Sequence, residues 1–453
     1  MKAAVNSAPA TEVLQRIREQ AGQRFAQLGW PTTHLEEWQY TNLQPLQSRF
    51  EAGAFREAPC RTGFPACPEE DRLESLSYTG GTLRGALAEL VFVNGVYAPE
   101  ASTFAGSSVP RVPRGSSGRA VPETEEPEEP RNRGLRIWTL REAPLEILEQ
   151  HFARYADYAN HAMTALNTAN AEDGAVVEVT GVVEGFVHLL FVGSAGFQSY
   201  PRNLVIAGRG AQIAVVETYA GSGSYFTNAV TEIVAGDGAV VDHYKLESES
   251  LEAFHIGTVH VHQERASSVT SRSISIGGGV VRNDVSVSLA GEGASLVLDG
   301  LFITAGTQHV DNHTLIDHVV PHCDSIELYK GVLDGNSRGI FDGRIIVRPD
   351  AQKTVSRQNN KNLLLSDTAI VDSKPTLEIS NDDVKCNHGS TIGQLEEEPL
   401  FYLRSRGIGE SEARDMLVYA FASEIVDRMK LEPVREQIRR AMSRQMPRGG
   451  EQR

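Results

Sequence analysis

Residues 208–239 read GRGAQIAVVETYAGSGSYFTNAVTEIVAGDGA, and the four-residue phrase that opens this stretch returns in closely similar form at its end. Ala211 closes the first phrase and Ala239 closes the second, 28 residues later; a third phrase ends at Ala294, a further 55 residues on. Ala266 falls midway between the last two, and Ala351 continues the series. A nearly fixed period, with strand-like runs and tight turns in each unit, is typical of a stacked solenoid.

The composition of the repeated units indicates strands. Short runs rich in Val, Ile and Thr alternate with Gly, Asp and Asn, and no helical period interrupts them. The solenoid is therefore predicted to be a β-helix, with side chains alternating inward and outward along each strand. A β-sandwich is the alternative, but it does not predict near-constant spacing. The expected fold class is mainly β: a β-helix core flanked by N-terminal and C-terminal helical domains.

Composition divides the chain into five parts. The predicted parts are a mostly helical N-terminal domain (1–103), a flexible linker or insertion rich in Pro, Gly, Ser, Glu and Arg (104–134), a helical segment leading into the core (135–173), the β-helix core (174–395) and a C-terminal helical domain (396–453). A chain segment with so few large apolar residues as 104–134 cannot offset the entropy of ordering it.

Local signals place several elements inside these parts. A first helix is expected to end at Gly29-Trp30-Pro31, because Pro31 cannot continue it. The run 90–93 followed by Asn94-Gly95 predicts a strand entering a turn. One helix is expected over 144–170. In the last part, a short helix starting at Pro399 is expected to end at Gly407, followed by a helix from Ser411 and a solvated basic helix from Arg435.

Charge and composition exclude some classes of function. The 453 residues carry 43 basic and 59 acidic side chains, a formal charge of −16, which disfavours binding to nucleic acid or to anionic lipid. No run approaches the roughly 20 apolar residues of a membrane span, and the N-terminus lacks the apolar region of an export signal. Four cysteines are too few for a disulfide framework. A reducing, cytoplasmic location is expected.

The familiar enzymatic motifs are missing from the sequence: there is no phosphate-binding loop, no Gly-x-Ser-x-Gly elbow, no His-Glu-x-x-His and no Cys-x-x-Cys. Histidines in a β-helix bond to turn backbone or to each other more often than they bind metal. No catalytic residue is assigned, and the protein is not expected to be an enzyme. The histidines of the core include His255, His260, His262, His309, His313, His318 and His322.

Cys386 and His388 stand out near the end of the predicted β-helix. In an extended segment, residues two apart share a face, so the thiol and the imidazole would point the same way as Val384. A thiolate and an imidazole suit iron or an iron–sulfur cluster, but such a site needs about four ligands. Either the pair is structural, or a second chain completes the site. Cys323 is interpreted as a small buried apolar residue, and no role is assigned to Cys60 or Cys67.

At this point a set of longer runs becomes recognisable. Together they resemble the SufB/SufD family of iron–sulfur cluster assembly scaffold proteins, in its SufD form at 385–389 and 403–406. The match is densest over 300–425 and extends to the N-terminus, although Gln39 stands where the family usually has a basic residue. The runs that carry the resemblance are 308–314, 325–331, 339–343, 362–366, 374–379, 382–394, 401–408, 29–32 and 37–41.

The resemblance implies a right-handed parallel β-helix and two partners. SufB would pair with the last β-helix strands, and the ATPase SufC would dock on the C-terminal helical domain, through Phe401, Tyr402, Arg404 and Arg406. His388 and Cys386 fall on the family's Cys-x-His positions, so the resemblance implies that they are metal ligands shared with SufB. A transient iron–sulfur cluster would form at that interface, with none held stably by this chain alone. A homodimer is possible when the chain is isolated.

The implied mechanism is conformational: ATP hydrolysis by SufC would strain the two C-terminal domains and open the interface to sulfur and iron. A carbohydrate-active β-helix enzyme is the alternative from another class. Such an enzyme needs closely placed carboxylates, and the adjacent pair Asp382-Asp383 would point to opposite faces of a strand. A third interpretation keeps the complex but makes this chain a purely structural partner.

Overall fold

The computed structural model of the protein describes residues 7–57, 83–104 and 134–445. The predicted linker, apart from its two end residues, lies outside the described residues, as do Cys60 and Cys67. The strands of the described parts are β1 (Arg56–Glu57), β2 (Ala88–Val93), β3 (Val96–Tyr97), β4 (Thr103–Phe104), β5 (Leu135–Thr139), β6 (Ala175–Val179), β7 (Val182–Ser194), β8 (Phe197–Ser199), β9 (Arg202–Ala207), β10 (Gln212–Ser222), β11 (Phe226–Ala235), β12 (Val240–Ser248), β13 (Phe254–Gln263), β14 (Ser268–Ser275), β15 (Val280–Leu289), β16 (Ser295–Thr304), β17 (His309–His318), β18 (Asp324–Leu333), β19 (Arg338–Val347), β20 (Val355–Leu364), β21 (Ile370–Ile379) and β22 (Lys385–Gly393).

These strands coil into a parallel β-solenoid, so the prediction of a mainly β protein built on a parallel β-helix is confirmed. From β9 onward the odd-numbered strands form one sheet, called sheet A, and the even-numbered strands form the other, called sheet B. Each strand pairs in parallel with the strand two places along the chain. Gln212, Val240 and Ser268 are in register on three successive strands of sheet B, 28 residues apart at each step. The interior between the two sheets is filled mainly by Val, Ile, Leu and Ala.

The recurring glycine–alanine phrase forms the turn into each strand of sheet B. Its second glycine has a positive φ, 67° at Gly210 and 66° at Gly238, and no atom lies within 4 Å of where a Cβ would stand. The alanine that follows is buried, and its carbonyl accepts the first hydrogen bond of the next strand: Val240 N–H bonds Ala211 O at 2.8 Å. The phrase recurs because the left-handed turn favours glycine and the interior admits only a small side chain.

The structure corrects two members of the alanine series. The hydrogen bonds between successive rungs run through Ala211, Ala239, Ser267, Ala294, Cys323 and Thr354. Ala266 is therefore one residue out of register: it stands in the place of the glycine, with φ 54°, and Ser267 takes the buried place. Ala351 is buried but lies three residues before the register position, because the last turns are longer.

The N-terminal end of the solenoid is covered. β2 adds in parallel to β7 and turns back through Asn94-Gly95, both with positive φ, so the predicted strand and turn are confirmed. β4 pairs antiparallel with β2, and β5 pairs antiparallel with β6. These short antiparallel strands shield the backbone edges at this end.

The helices of the described parts are α1 (Ser7–Leu28), α2 (Gln44–Glu51), α3 (Leu145–His151), α4 (Ala162–Asn170), α5 (Glu397–Ser405), α6 (Glu410–Val426) and α7 (Glu432–Gln445). α1 ends as predicted, with Gly29 at φ 68°. The single helix expected over 144–170 is wrong. Glu232 on β11 accepts the backbone N–H groups of Ala153, Tyr155 and Ala156 at 2.8–2.9 Å, which draws them out of a helix and separates α3 from α4.

Of the C-terminal helices, α6 and α7 pack against the outer face of sheet B. Gly407, at φ 87°, follows α5 as predicted. The basic helix α7 is not solvated all round, because Val434, Ile438 and Met442 are buried in the cluster that joins it to sheet B. None of the described helices combines the length and the apolar composition that crossing a membrane would require.

Candidate functional site

The C-terminal end of the solenoid presents two open strand edges. β21 is the last strand of sheet A and β22 is the last strand of sheet B, and each pairs on one side only in the described structure. Lys385 N–H donates to the carbonyl oxygen of Thr354, the residue just before the neighbouring strand β20. Because successive residues of a strand direct their backbone groups to opposite sides, those of Cys386, His388, Ser390 and Ile392 face the open side. This row is a template for a strand from another chain.

The two edges are not equally open. Ile370 N–H donates to Ser337 O, so alternation directs the backbone nitrogen of Pro375 on β21 toward the open side. Proline carries no N–H, and the edge of sheet A therefore lacks one donor. β22 contains no proline and keeps a full set. Large apolar side chains are half exposed along both edges: Ile370 at 53%, Ile379 at 43% and Ile392 at 49%.

β22 carries both residues of the predicted pair. Cys386 is half-buried and packs against the interior cluster together with Val384 and Leu377. His388, two residues on, is exposed and stands in register with Gln358, whose side chain is buried. The thiol and the imidazole thus belong to one face of the strand, at the open mouth of the solenoid. Burial raises the pKa of the Cys386 thiol, so it stays protonated at neutral pH unless a positive charge approaches.

A chain of buried polar groups lies beneath Cys386. Ser356 is its register partner, and the Ser356 and Ser325 hydroxyls are 2.7 Å apart. Ser325 in turn lies 2.9 Å from Nε2 of His318. Burial lowers the pKa of His318 to about 4, which keeps this imidazole neutral. The interior is therefore polar just below the open end.

A second buried polar pair lies beneath His388, and the sequence did not reveal it. Gln358 Nε2 donates to Glu327 Oε2 at 2.7 Å, and both side chains are 0% exposed. Burial raises the pKa of Glu327 to about 7. The signal that could have found the pair is the rung spacing, because Glu327, Gln358 and His388 occupy the same position on three successive strands.

The chain by itself offers an incomplete set of ligands. Over the described ranges, no group of three or more His, Cys, Asp or Glu side chains is arranged to hold a metal ion. One thiol and one imidazole, those of Cys386 and His388, are fewer than the four ligands that an iron–sulfur cluster usually takes. Any cluster at this end needs further ligands from outside the chain.

The other histidines of the core bond to neighbouring side chains. His255 is fully buried between two carboxylates, 3.1 Å from Glu247 and 2.8 Å from Glu249. His313 Nε2 lies 2.9 Å from Asp311, and His309 Nε2 lies 2.8 Å from the Thr41 hydroxyl. Lys245 Nζ also lies 2.9 Å from Nε2 of His255, and a guanidinium nitrogen of Arg282 lies 3.2 Å from Nε2 of His313. His260 and His262 flank the ring of Tyr155.

Cys323 occupies the small buried position of its turn, which is the position that Ala294 occupies one turn earlier. It is 0% exposed, and burial raises the pKa of its thiol. These observations support its interpretation as a small packing residue.

The predicted SufC-docking residues lie on or beside α5. No side chain of this helix is buried; Phe401 is 73% exposed and Tyr402 is 56% exposed. Arg406, just after the helix, donates to the Tyr402 hydroxyl at 3.2 Å, and Arg404 pairs with Glu410 at 3.3 Å. The helix presents an aromatic and basic surface that nothing in the described structure covers.

Comparison with known proteins connects these features. The family model "SUF system FeS cluster assembly, SufBD core domain" matches residues 190–421, just over half of the chain, and the "SufBD protein N-terminal region" matches residues 2–52. The iron-sulfur cluster assembly SufBD family protein slr0076 of Synechocystis is 30% identical over 97% of this chain and 93% of its own length. The iron-sulfur cluster assembly protein SufD of Escherichia coli is 29% identical over 95% of this chain and 93% of its own. Protein ABCI7, chloroplastic, of Arabidopsis thaliana is 36% identical over 53% of this chain and 52% of its own. The predicted resemblance is confirmed, and the chain belongs to the SufBD family of iron–sulfur cluster assembly proteins.

Proposed function

We propose that this chain is a non-catalytic scaffold subunit, acting in the cytoplasm, that pairs with SufB through the open end of its solenoid. The observation that carries the proposal is the asymmetry of the two ends: one is covered by short antiparallel strands, and the other ends in unshielded strands. Exposed strand edges are hazardous in a protein that acts alone, because they recruit other strands indiscriminately. A dedicated partner strand removes that hazard. In the absence of SufB, a second copy of the chain would occupy the same edge.

The cluster is the cargo of the assembly. Cys386 and His388 supply a thiol and an imidazole at the mouth of the solenoid, and SufB supplies the ligands that complete the set. The cluster is therefore transient, and neither chain holds it alone. The raised pKa of the Cys386 thiol fits this role, since the thiol is protonated until iron arrives and displaces its proton.

SufC docks on the C-terminal helical domain, around Phe401, Tyr402, Arg404 and Arg406. Support comes from the exposure of α5 and from its position in the chain. Only residues 394–396 separate the end of β22 from the start of α5. A displacement of α5 therefore reaches the edge strand through three residues of backbone. ATP-driven movement of SufC would use this short link to loosen the interface with SufB and admit sulfur and iron.

The next helix, α6, supplies a fixed point for that movement. Lys330 on β18 reaches the Glu424 carboxylate at 2.6 Å and the Phe421 carbonyl at 2.7 Å, and its ammonium lies 4.0 Å from the Phe421 ring centre. Arg428 bonds Asp299 on β16 at 3.1 Å. α6 and the residues just after it are thus anchored to sheet B by part-buried charged contacts and apolar packing, whereas α5 is not.

The carbohydrate-active alternative receives no support from the geometry. It would depend on Asp382-Asp383, and Asp383 is held in an ion pair with Lys353, with Nζ 2.7 Å from the carboxylate. Both aspartates are exposed at a turn. The purely structural alternative differs from the proposal only in denying a role to His388.

Co-purification with SufB and SufC, followed by anaerobic reconstitution with iron and sulfide, tests the proposal. The wild-type complex is expected to develop the visible absorption of an iron–sulfur cluster. The His388→Ala complex is expected to form with the same subunit composition but to develop little of that absorption. His34→Ala, which changes another exposed histidine, is the matched control and should behave as wild type. Undiminished cluster assembly by an intact His388→Ala complex would favour the purely structural interpretation, and failure to co-purify with SufB would contradict the proposal.

A further inference from the structure

Glu327, Gln358 and His388 form one column that runs from the interior of the solenoid to its open end. They occupy equivalent positions on β18, β20 and β22. The column faces inward, because Leu298, the register partner of Glu327 on β16, belongs to the interior cluster. Adjacent strands lie about 4.8 Å apart, so side chains of one column are within hydrogen-bonding reach of each other.

Only one of the two polar atoms of the Gln358 side-chain amide makes a hydrogen bond. Its Nε2 donates to Glu327 at 2.7 Å, while its Oε1 has no hydrogen-bond partner although the residue is 0% exposed. Above its pKa of about 7, Glu327 is a carboxylate that can only accept hydrogen bonds, so it holds the NH₂ group of the amide on its own side. The amide oxygen is left as a buried acceptor without a donor. A buried acceptor without a partner costs stability, and a donor from the next residue of the column would relieve that cost.

The next residue of the column is His388. Its imidazole is exposed and makes no hydrogen bond to any described residue, so both ring nitrogens lack a partner within the described chain. A neutral imidazole carries one N–H and one unprotonated nitrogen, and only the unprotonated nitrogen can bind a metal. A second group that accepts the N–H therefore decides which nitrogen is available as a ligand.

We propose that Gln358, oriented by Glu327, is a positioning residue that accepts the ring N–H of His388 and so turns the unprotonated nitrogen toward the open end. This inference rests on the proposed function, because it gives His388 its tautomer for binding iron there. It adds two residues that make no contact with the cluster. Gln358 fixes the imidazole, and Glu327 fixes the amide of Gln358.

The test uses the full-length chain with ¹⁵N-labelled histidine, and His388→Ala assigns the signals. At a pH where the imidazole is neutral, wild type is expected to show one protonated ring nitrogen whose N–H is protected from exchange with water. Gln358→Met keeps the length of the side chain but removes the acceptor, and should lose that protected signal. Ser356→Ala, beneath Cys386 in the neighbouring column, is the matched control and should keep it.

A second variant separates the inference from a general effect on folding. The exchange Glu327→Gln with Gln358→Glu keeps one amide and one carboxylate in the column, with an acceptor again next to His388. This double variant should restore the protected N–H that Gln358→Met loses. An unchanged His388 signal in folded Gln358→Met, or no restoration in the folded double variant, would overturn the inference.

The two proposals fail in different ways. If His388→Ala abolishes cluster assembly while Gln358→Met leaves the tautomer unchanged, the proposed function stands and the positioning role falls. If Gln358 fixes the tautomer but His388→Ala assembles clusters normally, the column is real and His388 is not a ligand.

Discussion

Ser373 and Ser390, on the last strands of the two sheets, are joined across the open end of the solenoid by their hydroxyl groups, 2.7 Å apart. This contact ties β21 to β22 and holds the two edges at a fixed separation. The backbone of Ser390 faces the open side and takes no part in pairing with β20. Ser390 is therefore a position where the edge can be altered while the ladder behind it is retained.

Ser390→Pro should weaken pairing with SufB by roughly tenfold or more, because proline removes one edge N–H and its ring obstructs an approaching strand. The unfolding midpoint of the isolated chain should change little. Ser390→Ala, which removes only the contact with Ser373, is the control and should retain most of the affinity. Binding measured by surface plasmon resonance or calorimetry decides the matter; equal affinities for the two variants would argue against β22 as the pairing strand.

Phe401 tests the docking of SufC. An aspartate at this 73%-exposed position removes a large aromatic surface without disturbing the core, so the unfolding midpoint should not move. An aromatic residue at the centre of an interface contributes about 2 kcal/mol or more, and SufC binding should fall accordingly. Leu251→Asp, at a 63%-exposed site on the solenoid, should bind SufC normally. Equal loss in both variants would mean that α5 is not the docking surface.

The sequence was sufficient to predict the solenoid because one physical requirement repeats. Each turn needs a residue that tolerates positive φ followed by a small buried residue, and Gly210 with Ala211 shows both needs at once. The predicted repeat was wrong by one residue at the turn that contains Ala266. This alanine occupies the positive-φ position of the turn, where the two preceding turns have Gly210 and Gly238, and not the small buried position that follows it. Local periodicity also could not show that Glu232, far along the chain, interrupts the helix expected over 144–170.

The interior of the site could be predicted only in part. Strand alternation puts Cys386 and His388 on one face of β22, and the structure shows that both residues lie in this strand. Alternation could not predict that Glu327 points inward. An apolar residue is usually the buried member of such a pair, but here Ile326 is 45% exposed and the neighbouring Glu327 is buried. Only the pairing of Glu327 with Gln358 across strands makes the inward orientation of the carboxyl understandable.

Substitutions at two turn positions with positive φ should change the stability of the solenoid in opposite directions. Ala266→Gly should stabilise the solenoid by about 0.5–1 kcal/mol, because alanine is strained at φ 54° and glycine is not. Gly238→Ala, at φ 66° on the preceding turn, should destabilise it by about 1 kcal/mol. The measurement is thermal unfolding of each variant and of wild type under the same conditions, and the sign of the shift in the transition is compared. Shifts of the same sign in both variants would contradict the assignment of these turns.

Glu327 predicts a pH dependence of stability. Burial raises its pKa from the ordinary 4.5 to about 7, so the folded state holds a proton more tightly than the unfolded chain does. Wild type should therefore lose stability as the pH rises through this range. Glu327→Gln carries no charge and retains an acceptor for Gln358, so it should gain about 2 kcal/mol relative to wild type between about pH 5 and pH 8. The contributions of other titrating groups cancel when the two proteins are compared by chemical denaturation at each pH. A difference in the free energy of unfolding that does not change with pH would show that Glu327 does not titrate in this range.

Amide hydrogen exchange over β22, in the free chain and in its complex with SufB, tests the central claim most directly. In the free chain, the amides of Cys386, His388, Ser390 and Ile392 face the open side and should exchange quickly, while those of Asn387 and Thr391 pair with β20 and should exchange slowly. Complex formation should protect the first set. Fast exchange of that set in a fully formed complex would contradict pairing through this edge.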